Sequence, residues 1–256
     1  MPKREYFMEA INLGLFMLSA CVFGTILGHP NSPAYQWLED PLPRRGVMGA
    51  AMGLTALLII HSPMGQSSGA HMNPAFTLAY WTLGRLDGTT AAFYVFFQFL
   101  GGTAGVSLAH GLVGPPLAHS AVNYVVTVPG PSGTATAFAA EFVISGGLML
   151  AVLVVSNRAA WSRWTPTVAS ALVAVYIVVE SPLSGMSMNP ARSFGSGFAA
   201  EDWSQIWIYF TAPPLGMLFA AAVFRLAKGA DGVFCAKLHH HNKRRCIFRC
   251  RHGEMT

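Results

Sequence analysis

Charge is what this 256-residue chain has least of: 11% of its residues are Asp, Glu, Lys or Arg, against 53% hydrophobic. That scarcity excludes an ordinary soluble domain, whose helices need polar outer faces, and points to a polytopic membrane protein. Cysteine is also scarce, with Cys21 inside an apolar run and Cys235, Cys246 and Cys250 near the C-terminal end, so no disulfide framework is implied. No basic, aromatic-interleaved soluble stretch is available to bind nucleic acid. Within the apolar runs there is no nucleophile–base pair and no carboxylate dyad, which argues against an enzyme. The first run begins a few residues after Met1 and lacks a small-residue cleavage pattern, so it is expected to be a retained helix rather than a removed signal peptide.

Long apolar runs are abundant. Six of roughly bilayer-spanning length cover about 6–27, 46–61, 89–112, 134–155, 165–179 and 203–227. Two further apolar pieces, 74–82 and 190–200, are too short to cross. Thirteen of the 16 Lys and Arg residues fall on one side of these spans: Lys3, Arg4, Arg85, Arg158, Arg163 and the eight from Arg225 to Arg251. Arg44, Arg45 and Arg192 fall on the other. The positive-inside rule then predicts a multi-pass protein of the cell membrane with both termini cytoplasmic, the basic tail lying against anionic headgroups.

The short apolar pieces each open with the same tripeptide, Asn73-Pro74-Ala75 and Asn189-Pro190-Ala191. Asn is a good helix cap, and Pro is tolerated at the first helical position, so each triplet starts a short helix. Gly/Ser stretches at 65–72 and 181–188 precede them; such backbone is expected to be irregular and to turn its carbonyls toward a wet path. Each half of the chain runs carboxylate, triplet, third helix: Glu9, Asn73 and the helix of Gln98, then Glu141, Asn189 and the helix of Pro213-Pro214. Three crossings per half make the halves oppositely oriented, an inverted repeat with its site between them. Two facing half-helix starts bring a positive partial charge on the order of half a unit each. With Asn73 and Asn189 donating to a passing water, they form a barrier to protons and other cations but not to neutral molecules.

From these triplets and their flanks, including Arg192 three residues past the second asparagine, the chain resembles the aquaporin and aquaglyceroporin family of membrane channels over about 8–227. The resemblance implies an all-α membrane fold: six transmembrane helices plus two re-entrant half-helices in an inverted 3+3 repeat. The channel domain would occupy 1–228, with halves at about 6–112 and 134–227, followed by a basic Cys/His-rich tail at 229–256. It further implies a homotetramer with one pore per subunit, and glutamates Glu9 and Glu141 that hold the half-helix loops. Gln98 and His71 are expected to brace or line the path. Arg192 would sit at the narrowest point with Met52 or Gly53 from the second helix, Ile177 (Tyr176 in another register) from the fifth, and Met186 from the second loop; the alternative for Arg192 is a salt bridge to Glu180. Ser193, Gly197 and Tyr209-Phe210 resemble the water-conducting branch. Water is therefore expected as the main permeant, with glycerol or another small neutral solute through the Met/Ile-lined filter as the alternative. In the tail, Cys235, Cys246, Cys250 and His239 form a candidate metal group and the basis of a metal-sensing alternative. A basic, solvated anchoring segment without a cofactor is the simpler expectation.

Overall fold

The computed structural model describes residues 3–255 and is all-helical, with no strand among them. In chain order the helices are α1 (Lys3–Gly28), α2 (Pro33–Trp37), α3 (Pro41–His61), α4 (Pro63–Ser68), α5 (Pro74–Thr82), α6 (Gly88–Val113), α7 (Pro115–Ala118), α8 (Gly133–Ser156), α9 (Thr165–Ser184), α10 (Pro190–Ala200) and α11 (Ile206–Lys228). The helix starts follow their caps. Asp40 accepts from the Leu42 N–H at 2.8 Å and Asp87 from the Thr90 N–H at 2.9 Å, while Pro41, Pro63, Pro74 and Pro190 occupy first turns, where a missing N–H costs nothing.

Five of the long helices, α1, α6, α8, α9 and α11, are long and apolar enough to cross a membrane, and α3, of 21 residues, completes the bundle. They are apolar on all sides. Phe7, Leu58, Phe96, Leu112, Val143 and Phe219 point outward while Leu13, Met17, Tyr94 and Met149 pack inside, as a lipid-facing bundle requires. α1 packs along α6, and α8 packs along α11; α3 lies against α9 across the halves. Each half-helix leans on the third span of the opposite half, α5 on α11 and α10 on α6. This exchange locks the two repeats into one body.

Two expectations are corrected. The Gly/Ser stretches are not irregular throughout: Ser62 caps α4, which holds residues 63–68 helical, and α9 continues through Pro182 to Ser184. Only 69–73 and 185–189 are without helix. Nor is the tail solvated along its whole length. Cys235, Ala236, Lys237, Leu238 and Phe248 are buried, packed on the loops at the face where α3, α5 and α8 end. The two termini themselves lie outside the described residues.

Candidate functional site: a conduit between the half-helices

Gly69 and Gly185, at φ of +91° and +79°, end α4 and α9 in the left-handed region that glycine alone adopts freely. The chain then alternates between left-handed and extended residues. Ala70, Met72, Met186 and Met188 all have φ between 51° and 56°, a conformation costing non-glycine residues about 1–3 kcal/mol each. Two buried carboxylates hold it in place. Glu9 Oε1 accepts from the His71 N–H (3.1 Å) and the Ser68 hydroxyl (2.7 Å), and Oε2 from the Met72 N–H (2.6 Å) and Gln98 Nε2 (2.9 Å). Glu141 repeats the pattern, accepting from the Ser187 N–H (2.6 Å), the Ser184 hydroxyl (2.7 Å) and the Met188 N–H (2.7 Å). Tyr94 and Tyr209 complete the repeat, their hydroxyls donating to Ser68 O and Ser184 O, each at 2.5 Å.

The half-helix starts meet. Asn73 Oδ1 caps α5 at the Ala75 N–H, and its Nδ2 donates to Met188 O at 2.6 Å; Asn189 Oδ1 caps α10 at the Ala191 N–H, and its Nδ2 donates to Met72 O at 2.7 Å. A side-chain amide carries two N–H groups. One of each pair is spent across the junction, leaving the other to the cavity that both asparagines line.

That cavity, about 310 Å³, runs from Arg45, Met48 and Val126 at one face, past Asn73 and Asn189, to Leu148, Val152 and Leu238 at the other. Arg192 lines it beyond the second triplet, with one guanidinium nitrogen donating to Val125 O at 2.7 Å. It has no ion pair with Glu180: among the described residues both ion pairs belong to Arg251, and both Glu180 oxygens are buried without a partner. Met52, Ile177 and Met186 also line the cavity.

Gly53 is a correction. It faces α9, where a Cβ would meet Ser170 O at 2.9 Å and the Ala174 Cβ at 3.0 Å, so its role is close helix packing and Met52 carries the lining position. Tyr176 likewise turns away, toward Gly147. Gln98 is fully buried behind the wall, donating to Glu9 and to Thr77 Oγ1, whereas His71 lines the path and is pinned between Thr77 Oγ1 (3.1 Å) and Ala236 O (2.9 Å).

In the tail, the structure gathers Cys235, Cys246 and Cys250, but with His240 rather than His239; the four ligand atoms lie within 4.8 Å of one another. His239 instead packs on His61, ring centroids 4.6 Å apart, and burial pushes it down to about 4. The Cys250 thiol is drawn down to about 6, chiefly by its hydrogen bond with Cys235, whose own thiol is pushed up by its bonds to Cys246 and Cys250. No helix joins Cys246 to Cys250, so spacing on a helix face could not single out the right histidine.

A family model described as major intrinsic protein matches residues 2–224. Among curated relatives, "Aquaporin NIP3-1" of Oryza sativa subsp. japonica is 35% identical over 184 residues, covering 71% of this chain and 57% of the relative. "Aquaporin NIP3-1" of Zea mays is 37% identical over 184 residues, covering 71% and 59%. "Probable aquaporin NIP7-1" of Arabidopsis thaliana is 30% identical over 225 residues, covering 88% and 76%. The matches to the first two thus span under two thirds of those relatives' length. The X-ray structure of the aquaglyceroporin from Plasmodium falciparum has the same fold, with a TM-score of 0.69, 21% identity, and coverage of 88% of this chain and 96% of that one.

Proposed function

The chain belongs to the major intrinsic protein family, and from that premise we propose that it is a passive transmembrane channel for water and small uncharged solutes, with water the main permeant. One observation carries the reading: two asparagine amides, each at the start of a half-helix from opposite repeats, line one cavity between both faces of the bundle. A water passing there meets N–H donors from two sides, must turn its oxygen toward them, and cannot relay a proton while so held. The two half-helix starts add positive potential at the same point, and Arg192 adds a fixed charge nearer the far mouth. Cations are repelled; neutral molecules are not.

A second reading, conduction of glycerol or a similar solute, is favoured by one specific feature. The residues lining the cavity together with Arg192 include Met52, Ile177 and Met186, which are apolar and in part flexible and set no rigid aperture of their own. The relatives named as aquaporins and the fold-mate named as an aquaglyceroporin support the channel class in common. The topology with cytoplasmic termini and assembly as a homotetramer belong to the same proposal.

Stopped-flow light scattering on vesicles bearing the full chain, in metal-free buffer, separates the solutes. Under an impermeant osmolyte gradient, water efflux is expected to exceed that of protein-free vesicles by about tenfold or more. Under glycerol and urea gradients the re-swelling phase is expected to be slow. Fast re-swelling with glycerol replaces water by glycerol as the main permeant; no acceleration of any phase contradicts the channel.

A further inference from the structure

The channel reading leaves the tail without a role, yet the tail is built into the conduit. Leu238 lines the cavity at the face where α11 ends, the Leu238 N–H donates to Gly69 O (3.3 Å), and Ala236 O bonds His71 Nε2 (2.9 Å). Phe248 stacks on the His71 ring with centroids 5.1 Å apart and planes 1° from parallel. It also fills the space beside Gly69 that a Cβ would need. The Arg249 N–H donates to Arg85 O (2.9 Å) and the Phe234 N–H to Asn157 Oδ1 (2.6 Å), so the segment is tied to the loops after α5 and α8. It brings one apolar side chain, Leu238, into the cavity wall at this mouth.

Between Val233 and Arg251 the segment has neither helix nor strand. Something other than a backbone ladder must hold it in one shape. The candidate is the cluster of Cys235, His240, Cys246 and Cys250, whose Cys235 and Cys246 sulfurs are 3.4 Å apart and whose Cys250 sulfur is 3.5 Å from His240 Nε2. Thiolates on one tetrahedral zinc stand about 3.8 Å apart, given Zn–S bonds near 2.3 Å. The ligand set is therefore close to assembled. Its surroundings match such a site. The Lys237 N–H points to Cys235 Sγ and the His252 N–H to Cys250 Sγ, each at 3.5 Å, as outer bonds to metal-held sulfurs do. The His240 ring is oriented by stacking on His252, centroids 4.0 Å apart. Three thiolates and a neutral imidazole around a dication leave one net negative charge. The buried Lys237 ammonium, pinned by Asn242 Oδ1 (3.0 Å) and Arg244 O (3.1 Å), is placed to meet it.

We propose that Cys235, His240, Cys246 and Cys250 bind one zinc-type divalent ion, and that the bound ion locks the tail across the cytoplasmic mouth so that Leu238 closes the conduit. Binding releases the thiol protons to solvent and involves no oxidation. Soft thiolates with one imidazole in a tetrahedral set select zinc over magnesium or calcium. Removing the ion frees an irregular segment to leave the mouth. The closing half of this proposal rests on the channel reading of the same cavity; the metal site does not.

The test uses the reduced full chain. Cobalt(II) titrated into the detergent-solubilised protein is expected to give sulfur-to-cobalt charge-transfer absorption saturating at one equivalent, displaced by zinc chloride and lost in Cys246→Ser/Cys250→Ser. No such band, or one that survives in the double variant, overturns the site. Zinc is expected to slow hydrogen exchange across residues 233–250, and exchange unchanged by zinc overturns the lock. In vesicles, zinc should lower osmotic permeability about tenfold, reversibly by chelator, and should have no effect on the double variant. Leu238→Ala should keep the cobalt spectrum while losing most of the block. Permeability identical with and without zinc in a conducting wild-type chain overturns the closure. If no version conducts while zinc still slows exchange, the channel reading has failed and the metal-locked tail stands.

Discussion

Glu9 and Glu141 each accept from two consecutive backbone N–H groups ahead of a half-helix, whereas Glu180 is buried with neither oxygen bonded. These carboxylates should therefore behave differently. Glu141→Ala leaves the Ser187 and Met188 N–H groups and the Ser184 hydroxyl without partners, at about 1–3 kcal/mol each. It is expected to lower the apparent melting temperature in detergent sharply and to abolish water flux. Glu180→Gln removes a costly charge and is expected to leave melting unchanged or raised; equal stability of Glu141→Ala and wild type would refute the bracing role. Arg192→Val tests the filter. Its loss removes the fixed charge at the cavity wall, so proton leak should rise about tenfold while water flux persists, and an unchanged proton leak would deny Arg192 its part in selectivity. At this scale the sequence was readable wherever a residue is expensive. A lone carboxylate or guanidinium in an apolar span must have a reason, which exposed Glu9, Glu141 and Arg192. Glu180 and His240 were not readable: the first entered only as the alternative partner of Arg192, and the second differs from His239 only in where an irregular backbone points it.

The half-helices were legible because Asn-Pro fixes a helix start to the residue, and α5 and α10 begin at Pro74 and Pro190. α4 was not, because its Gly and Ser content reads as loop while the Ser62 cap and Pro63 make it a turn of helix. The contacts between long helices depend on glycine in a way the apolar runs conceal. A Cβ on Gly101 would strike the Ala10 backbone of α1, and one on Gly216 would strike the Phe142 carbonyl of α8. These are equivalent crossings in the two repeats. Gly101→Leu or Gly216→Leu is expected to destroy the monodisperse peak on size-exclusion chromatography, while Gly111→Leu, with nothing within 4 Å of its Cβ position, should leave it intact. A normal peak for both crossing variants would mean that the helices do not approach as closely as described.

For the molecule as a whole, the inverted repeat was visible in the order of carboxylate, triplet and third helix, and it reappears as paired bonds: Glu9 with Glu141, Tyr94 with Tyr209, Asn73 with Asn189. The symmetry is broken at the tail. Composition made it look like a solvated basic anchor, because burial by docking onto distant loops leaves no periodic trace in a segment without helix or strand. The whole assembly places a cavity where two half-helix ends converge, and the central claim is that this path passes water but not protons. The most direct measurement records both in one vesicle preparation: osmotic shrinkage by light scattering and proton entry by an enclosed pH dye, each against protein-free vesicles. The account predicts water permeability well above the lipid background with a low activation energy, and proton permeability at that background. Proton entry rising in step with water flux, or water flux no faster than through bare lipid, would contradict it.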